Sequence, residues 1–181
     1  MNKKDFTFSI RDITEIGILV ALALVLDTFV KIPVGANGGS INIAMVPLFL
    51  IALHKGWFKG LIAGGIVFGL LSCLIDGYGF VTYPFDYFIG FGSVVIVGFL
   101  RRFIINKELS TKNYFWFGVS IVGCMLIRFI GSLISGIIIY DLSVGESALY
   151  QLTYLGPTLL ALLLILLPCL KPFNSLFSRL S

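Results

Sequence analysis

Long apolar stretches, separated by short polar or charged segments, run through the whole chain. A membrane-spanning helix needs about 20 mostly apolar residues. By that criterion the pattern predicts six spans, over residues 13–30, 41–54, 57–75, 80–100, 114–139 and 149–170. The second and third come from one apolar run, which His54, Lys55 and Gly56 interrupt. The sequence therefore predicts an all-α integral membrane protein, a single six-helix domain over residues 1–181.

Composition supports this interpretation. Hydrophobic residues make up 58% of the chain and charged residues 12%, and the mean hydropathy is +1.03. Soluble domains carry about twice this share of charged residues. The three cysteines, Cys73, Cys124 and Cys169, lie inside apolar runs without paired or metal-ligand spacing. We therefore expect no disulfide framework, no metal site and no cofactor.

Lysine and arginine predict the orientation. Eleven of them fall before the first span, after the sixth, or in the loops between spans two and three and spans four and five; only Lys31 falls in a loop on the other side. Cytoplasmic loops carry the excess of basic residues. We therefore expect both termini in the cytoplasm, with Asp76, Asp141 and Glu146 on the outer face.

Several functions are disfavoured by missing motifs. The chain has no G-x-x-x-x-G-K-[ST] phosphate loop, so it cannot hydrolyse ATP by that route. It has no H-E-x-x-H motif, and its single histidine, His54, falls at the predicted cytoplasmic end of the second span. No basic stretch is long enough to suggest a nucleic-acid partner. The sequence therefore predicts a protein that is not an enzyme.

Two ionisable residues, Asp86 and Arg128, lie deep inside predicted spans. Such residues usually face a bundle interior, a partner charge or a ligand. At 1.5 Å per residue, Asp86 lies about 9 Å and Arg128 about 16 Å below the outer helix ends. That difference is within the reach of an arginine side chain. A structural ion pair and a ligand site both fit this placement.

Tyrosines gather near the outer ends of the last three predicted spans. They are Tyr78, Tyr83, Tyr87, Tyr140, Tyr150 and Tyr154. An aromatic belt at the membrane interface would explain some of them. Together with Asp86, Ser132, Ser135 and Gln151 they would also line a pocket for a flat, polar or cationic ligand.

Small residues recur at four-residue spacing in two spans. Gly17 and Ala21 share a face of the first span, and the third span contains Gly60, Gly64, Gly65 and Gly69. Such steps let helices approach closely in lipid. We expect internal packing in the third span, and a partner contact in the first if a partner subunit exists.

Short motifs in a fixed order resemble one known family. They are Thr14, Glu15 and Ile16 before an Ala-rich helix; Gly38, Gly39 and Ser40; Met45, Val46 and Pro47 before Phe49, Leu50 and Ile51; Asp86 and Tyr87; Arg128 and Phe129 with Ile134, Ser135 and Gly136; and Leu152, Thr153 and Tyr154 before Pro157. From about residue 13 to 170 the chain resembles the thiamine-specific S components of energy-coupling factor (ECF) transporters.

The resemblance implies a bacterial plasma-membrane protein of six helices that binds a vitamin from outside with high affinity. A transmembrane coupling subunit and two cytoplasmic ATPases would supply the energy, which fits the missing phosphate loop. In this family a small-residue face on the first helix docks on the coupling subunit. Gly17 and Ala21 would form that face here.

The resemblance also implies a ligand site. Asp86 and Tyr87 match the family's acidic–Tyr pair, Ser132 replaces a histidine, Tyr140 replaces a tryptophan, and Gln151 aligns with an asparagine. A family tryptophan in the outer loop is absent, with Gly38 near its place. The predicted site consists of Asp86, Tyr87, Ser132, Tyr140, Gln151, Tyr83, Tyr154 and Arg128.

The replacements leave several ligands and functions open. Thiamine and its hydroxymethylpyrimidine moiety are the leading ligands, and a pyridoxine-type vitamin is an alternative. A stand-alone ion-coupled carrier or channel, or a structural scaffold, would be other kinds of function. The glycines between residues 37 and 40 would also permit the outer loop to close over a pocket.

Overall fold

A computed structural model describes residues 6–34, 39–106 and 108–180. The described residues form six helical segments: α1 Ile10–Phe29, α2 Met45–Lys55, α3 Trp57–Asp76, α4 Tyr83–Ile104, α5 Thr111–Ile138 and α6 Val144–Leu180. A short antiparallel hairpin, β1 Ile32–Val34 and β2 Gly39–Ile41, lies between α1 and α2. The predicted all-α membrane fold is confirmed, with this hairpin as an addition.

Four helices, α3 to α6, have the length and apolar composition of membrane spans. The helix α2 is apolar but only 11 residues long. The helix α1 has 20 residues and carries Arg11, Asp12, Glu15 and Asp27. Six crossings and cytoplasmic termini therefore stay predictions.

Several helix boundaries differ from the predicted spans, most of all in α2, α4 and α6. Ile41 belongs to β2, so α2 begins at Met45 rather than at residue 41. The helix α4 begins at Tyr83 rather than at residue 80, because Gly77 (φ +73°) and Gly79 (φ +93°) adopt left-handed backbone conformations in the turn after α3. The helix α6 extends from Val144 to Leu180, well beyond 149–170 at both ends. Hydropathy marks only the apolar middle of such a helix, and α6 continues through polar residues on both sides of it.

Hydrogen-bonded caps begin two of the helices. The Ser9 hydroxyl accepts from the Asp12 N–H (3.1 Å), while the Asp12 carboxylate accepts from the Ser9 N–H (3.1 Å). Before α5, the Ser110 N–H donates to the Asn113 Oδ1 (2.7 Å), and the Asn113 N–H donates to the Ser110 carbonyl oxygen (2.9 Å). Each pair satisfies backbone donors that the first helical turn leaves free.

Glycines let α3 pack tightly against its neighbours. A Cβ atom on Gly64 would lie 2.6 Å from the Phe91 carbonyl oxygen, and one on Gly60 would lie 2.9 Å from the Ala52 Cβ. The small residues of α3 thus serve internal packing. Where α3 and α4 pack together, both contain a π-helical turn, Ile62–Phe68 and Tyr83–Ile89. Such turns are frequent at functional sites.

Candidate ligand-binding site

A cavity lies where α1 and α3 end and where α4 and α6 begin. Its lining is polar and aromatic: Asp27, Gly39, Ser40, Asn42, Asp76, Tyr78, Thr82, Asp86, Tyr87, Phe91, Arg128, Ser132, Ser135, Gly136, Tyr140, Leu142, Tyr150, Gln151 and Tyr154. Pockets for small molecules combine aromatic walls with a few convergent polar groups. The lining is therefore of the kind that binds a small organic ligand.

Seven of the eight residues predicted for the site line this cavity: Asp86, Tyr87, Arg128, Ser132, Tyr140, Gln151 and Tyr154. Tyr83 lies elsewhere, with its hydroxyl donating to the Gly65 carbonyl oxygen at 3.0 Å. Tyr83 and Asp86 both belong to the π-helical turn at the start of α4. A π-helical turn holds more residues than an α-helical one, so residues three apart lie further apart around the axis than in an α-helix.

Asp86 is half-buried, and it accepts a hydrogen bond from a neutral side chain. The Ser135 hydroxyl, one helix away on α5, donates to its Oδ2 atom. No ion pair within 4.0 Å joins Asp86 to Arg128 in the described part of the chain. The interpretation of these two residues as a direct structural ion pair is therefore wrong. Asp86 lines the cavity with its negative charge unmatched by a contacting cation.

Arg128 is 8% exposed and lines the same cavity. Its guanidinium lies over the Phe91 ring, 4.3 Å from the centroid, a favourable cation–π position. Its Nη1 atom is buried and has no hydrogen-bond partner among the described residues. An unsatisfied buried donor carries a free-energy penalty, which a bound acceptor would remove.

Gln151 connects α6 to α5 at the cavity wall. Its Nε2 atom donates to the Ser132 carbonyl oxygen at 3.1 Å, and its Oε1 atom accepts from the Tyr154 hydroxyl. The amide nitrogen has two hydrogens, so this contact leaves one of them for a ligand. Close packing of the two helices requires Gly136, since a Cβ there would lie 2.1 Å from the Ser147 Oγ.

A second polar chain forms the opposite wall. The Tyr87 hydroxyl donates to the Asp76 Oδ2 (3.1 Å), and the Lys31 ammonium donates to the Asp76 Oδ1 (2.8 Å). Burial alone would lower the pKa of Lys31, but the Asp76 carboxylate outweighs it and raises that pKa. The Asp76 charge is thus already matched by a cation.

Asp27 is the functional candidate that the sequence pattern did not reveal. It is 6% exposed, and its carboxylate accepts from the Asn42 amide (3.0 Å) and the Ser72 hydroxyl (2.7 Å). Asp27 stands three residues from the end of the predicted first span, where an acidic residue is unremarkable. Only the fold brings Asn42 and Ser72 to it, so spacing along the chain gave no signal.

The hairpin borders the cavity and is tied to α6. The Tyr150 hydroxyl accepts from the Gly39 N–H (2.9 Å) and donates to the Val34 carbonyl oxygen (3.1 Å). A Cβ atom on Gly39 would lie 2.5 Å from a ring carbon of Tyr154, so only glycine permits this approach. Gly38, the position near the missing tryptophan, lies outside the described residues, as does Asn37.

The small-residue face of α1 lies away from the cavity. Gly17 and Ala21 are exposed, whereas Ile16, Val20, Ala23 and Asp27 form the buried face. No atom lies within 4 Å of the position that a Gly17 Cβ would occupy. In the described structure this face is thus open to a partner.

Apolar helices of membrane-spanning length surround a polar, aromatic cavity, as in membrane proteins that bind a small molecule. The family model for the thiamine transporter protein (Thia_YuaJ) matches residues 13–177, and the chain belongs to that family. The thiamine transporter ThiT of Bacillus subtilis (strain 168) is 30% identical over 155 residues, covering 77% of this chain and 78% of that protein.

The fold also matches a solved structure of ThiT from Listeria monocytogenes. That match has a TM-score of 0.74 and 21% identity, and it covers 92% of this chain and 97% of that one. At this identity the match supports the fold alone. The resemblance to S components of ECF transporters, first seen in short motifs, is confirmed by the family match.

Proposed function

We propose that the protein is the high-affinity substrate-binding subunit of an ECF importer in a bacterial plasma membrane. Its ligand would be thiamine or the hydroxymethylpyrimidine moiety of thiamine. The observation that carries this proposal is the polar, aromatic cavity in which Asp86 and Arg128 lie without contacting counter-charges. Buried charges of this kind in membrane proteins usually serve a ligand or a transported species.

Each predicted residue has a role that follows from its chemistry. Asp86 would pair with the ligand's positive charge or accept from its amine. Tyr87, Tyr140 and Tyr154 would contact the flat rings, and the Ser132 hydroxyl and the free N–H of Gln151 would bond polar ring atoms. The Arg128 guanidinium would donate to a ligand acceptor, which would satisfy its Nη1 atom.

Among the candidate ligands, the cavity favours thiamine. Thiamine has two rings, one an aminopyrimidine and the other a cationic thiazolium. Aromatic side chains from α4, from the loop after α5 and from α6 line the cavity, which suits a ligand with more than one flat ring. Hydroxymethylpyrimidine and pyridoxine have a single ring and would contact fewer of these aromatic side chains. The relative in Bacillus subtilis is named a thiamine transporter.

The partner part of the proposal is supported by α1. Gly17 and Ala21 leave a flat, exposed strip on a helix whose other face is buried. Small residues permit close helix contact in a membrane. A transmembrane coupling subunit would dock there, and two ATPases would supply the hydrolysis for which this sequence has no phosphate loop.

Titration of the purified protein with thiamine, hydroxymethylpyrimidine, pyridoxine and riboflavin, followed by intrinsic fluorescence, tests the ligand. We expect thiamine to bind most tightly and riboflavin not to bind. A folded protein that responds to none of the first three would refute the proposal.

A tagged protein should also copurify a coupling subunit and ATPases, and Gly17→Leu should abolish this copurification without changing ligand affinity. A stand-alone carrier would copurify none of them.

A further inference from the structure

The cavity holds more negative than positive charge. Three carboxylates line it, on Asp27, Asp76 and Asp86, whereas the described lining residues provide one cation, Arg128. Asp76 is matched by Lys31 at 2.8 Å. Asp27 and Asp86 therefore share the single charge of Arg128, and neither contacts it within ion-pair distance. The described cavity is short of one positive charge.

The contacts of Asp27 are to neutral side chains. Both of its oxygens accept hydrogen bonds, one from the Asn42 amide and the other from the Ser72 hydroxyl. The Asn42 Oδ1 atom accepts from the Ala44 N–H at 3.3 Å, which directs its amide nitrogen towards Asp27. Neutral donors of this kind hold an anion in place without neutralising it.

We propose that Asp27 is a specificity-determining residue, which acts with Asp86 to make the cavity select a ligand carrying one positive charge. This inference rests on the proposed function and deepens it. A bound monocation would balance the excess carboxylate, and charge interactions are strong in a site shielded from water. An uncharged ligand of the same shape would leave that carboxylate buried without a counter-charge, which is unfavourable.

The test compares thiamine with an uncharged analogue in which a thiophene-type ring replaces the thiazolium. The measured quantity is the ratio of the two dissociation constants. For Asp27→Asn we expect the preference for thiamine to fall by about ten-fold or more, through weaker thiamine binding, because a buried counter-charge is lost. Asp27→Ser also removes the carboxylate and places a small hydroxyl beside Asn42 and Ser72, so we expect the same loss of preference.

Two controls separate charge from structure. Ser72→Ala removes a hydrogen bond to Asp27 but leaves the carboxylate, so the preference should stay within about two-fold of the wild-type value. The double variant Asp27→Asn with Asn42→Asp exchanges the two side chains across one hydrogen bond. It returns a carboxylate to the pair and should restore the preference for thiamine.

The outcomes are distinct. An unchanged preference in folded Asp27→Asn and Asp27→Ser would overturn the inference, as would failure of the exchanged double variant to restore it. A wild-type protein that binds thiamine and the uncharged analogue equally would overturn the inference while leaving the proposed function intact. A folded wild-type protein that binds neither would overturn both.

Discussion

Two polar clusters lie at opposite ends of α1 and α3 and differ in how their charges are matched. At one end, Asp12 contacts Lys55 and Lys59 at 2.8 Å each, and Glu15 contacts Lys55 at 2.6 Å and Arg11 at 2.7 Å. At the other end, about 22 Å along α1 by its rise per residue, Asp27 lies at the cavity. There Asp27 and Asp86 have neutral partners, and the Arg128 Nη1 atom has none among the described residues.

The difference separates a structural cluster from a binding site. In the paired cluster, salt bridges join the start of α1 to α2 and α3, so those contacts stabilise the fold and leave little for a ligand. In the cavity, the fold brings Asp27, Asp86 and Arg128 to one site without ion pairs between them. Buried charges without counter-charges destabilise a protein unless something else binds them. The cavity is therefore the part of the molecule that a ligand completes.

The largest effect is expected from Asp86→Asn, which preserves shape and removes the charge. Thiamine affinity should fall by about 100-fold or more, since a buried hydrogen-bonded counter-charge is lost. The same substitution in the paired cluster, Asp12→Asn, is the matched control and should leave affinity unchanged. Fluorescence titration of both variants measures this, and equal affinity in Asp86→Asn and wild type would remove Asp86 from the site.

Lys59→Met should lower stability and leave ligand affinity unchanged, the reverse of Asp86→Asn. Lys59 is 5% exposed and donates to Asp12 at 2.8 Å, so the substitution leaves a carboxylate without one of its partners. We expect the free energy of unfolding to fall by about 1–3 kcal/mol, with ligand affinity unchanged. Thermal unfolding in detergent, with and without thiamine, checks both. A variant that loses affinity while keeping its stability would break the distinction between the clusters.

Arg128→Met should weaken ligand binding less than Asp86→Asn does and, unlike Lys59→Met, should change affinity rather than stability. Thiamine affinity should fall by about ten-fold through loss of a donor to the ligand. The unfolding temperature of the ligand-free protein should change little, because the lost contact with Phe91 is offset by removal of a buried donor that has no partner among the described residues. Arg128→Lys keeps the charge and serves as the control. A marked loss of ligand-free stability in Arg128→Met would show that Arg128 is structural.

Much of this difference was accessible from sequence, and the exceptions have physical reasons. Hydropathy located the helices, and the depth of Asp86 and Arg128 inside predicted spans marked both as candidate site residues. Whether those two residues contact each other was not predictable, since depth along a helix does not give the direction of a side chain around the helix axis. Asp27 was missed because its hydrogen-bond partners are distant in sequence. Asn42, directly after β2, is 15 residues away, and Ser72, in α3, is 45 residues away.

The smallest effect is expected from Tyr83→Phe. Its hydroxyl donates to Gly65 outside the cavity, so the change should cost about 0.5–1.5 kcal/mol of stability and alter affinity by less than about two-fold. Tyr87→Phe is the comparison, because that hydroxyl holds Asp76 at the cavity wall. If Tyr83→Phe weakens binding more than Tyr87→Phe does, Tyr83 belongs to the site after all.

An experimental structure of the protein with saturating thiamine tests the central claim most directly. We predict that the ligand occupies the cavity, with its cationic ring beside Asp86 and with an acceptor bound by the Arg128 Nη1 atom, while the ion pairs of Asp12 and Glu15 stay as they are. A ligand bound elsewhere, or bound in the cavity with Asp86 and Arg128 still without contact to it, would contradict the account.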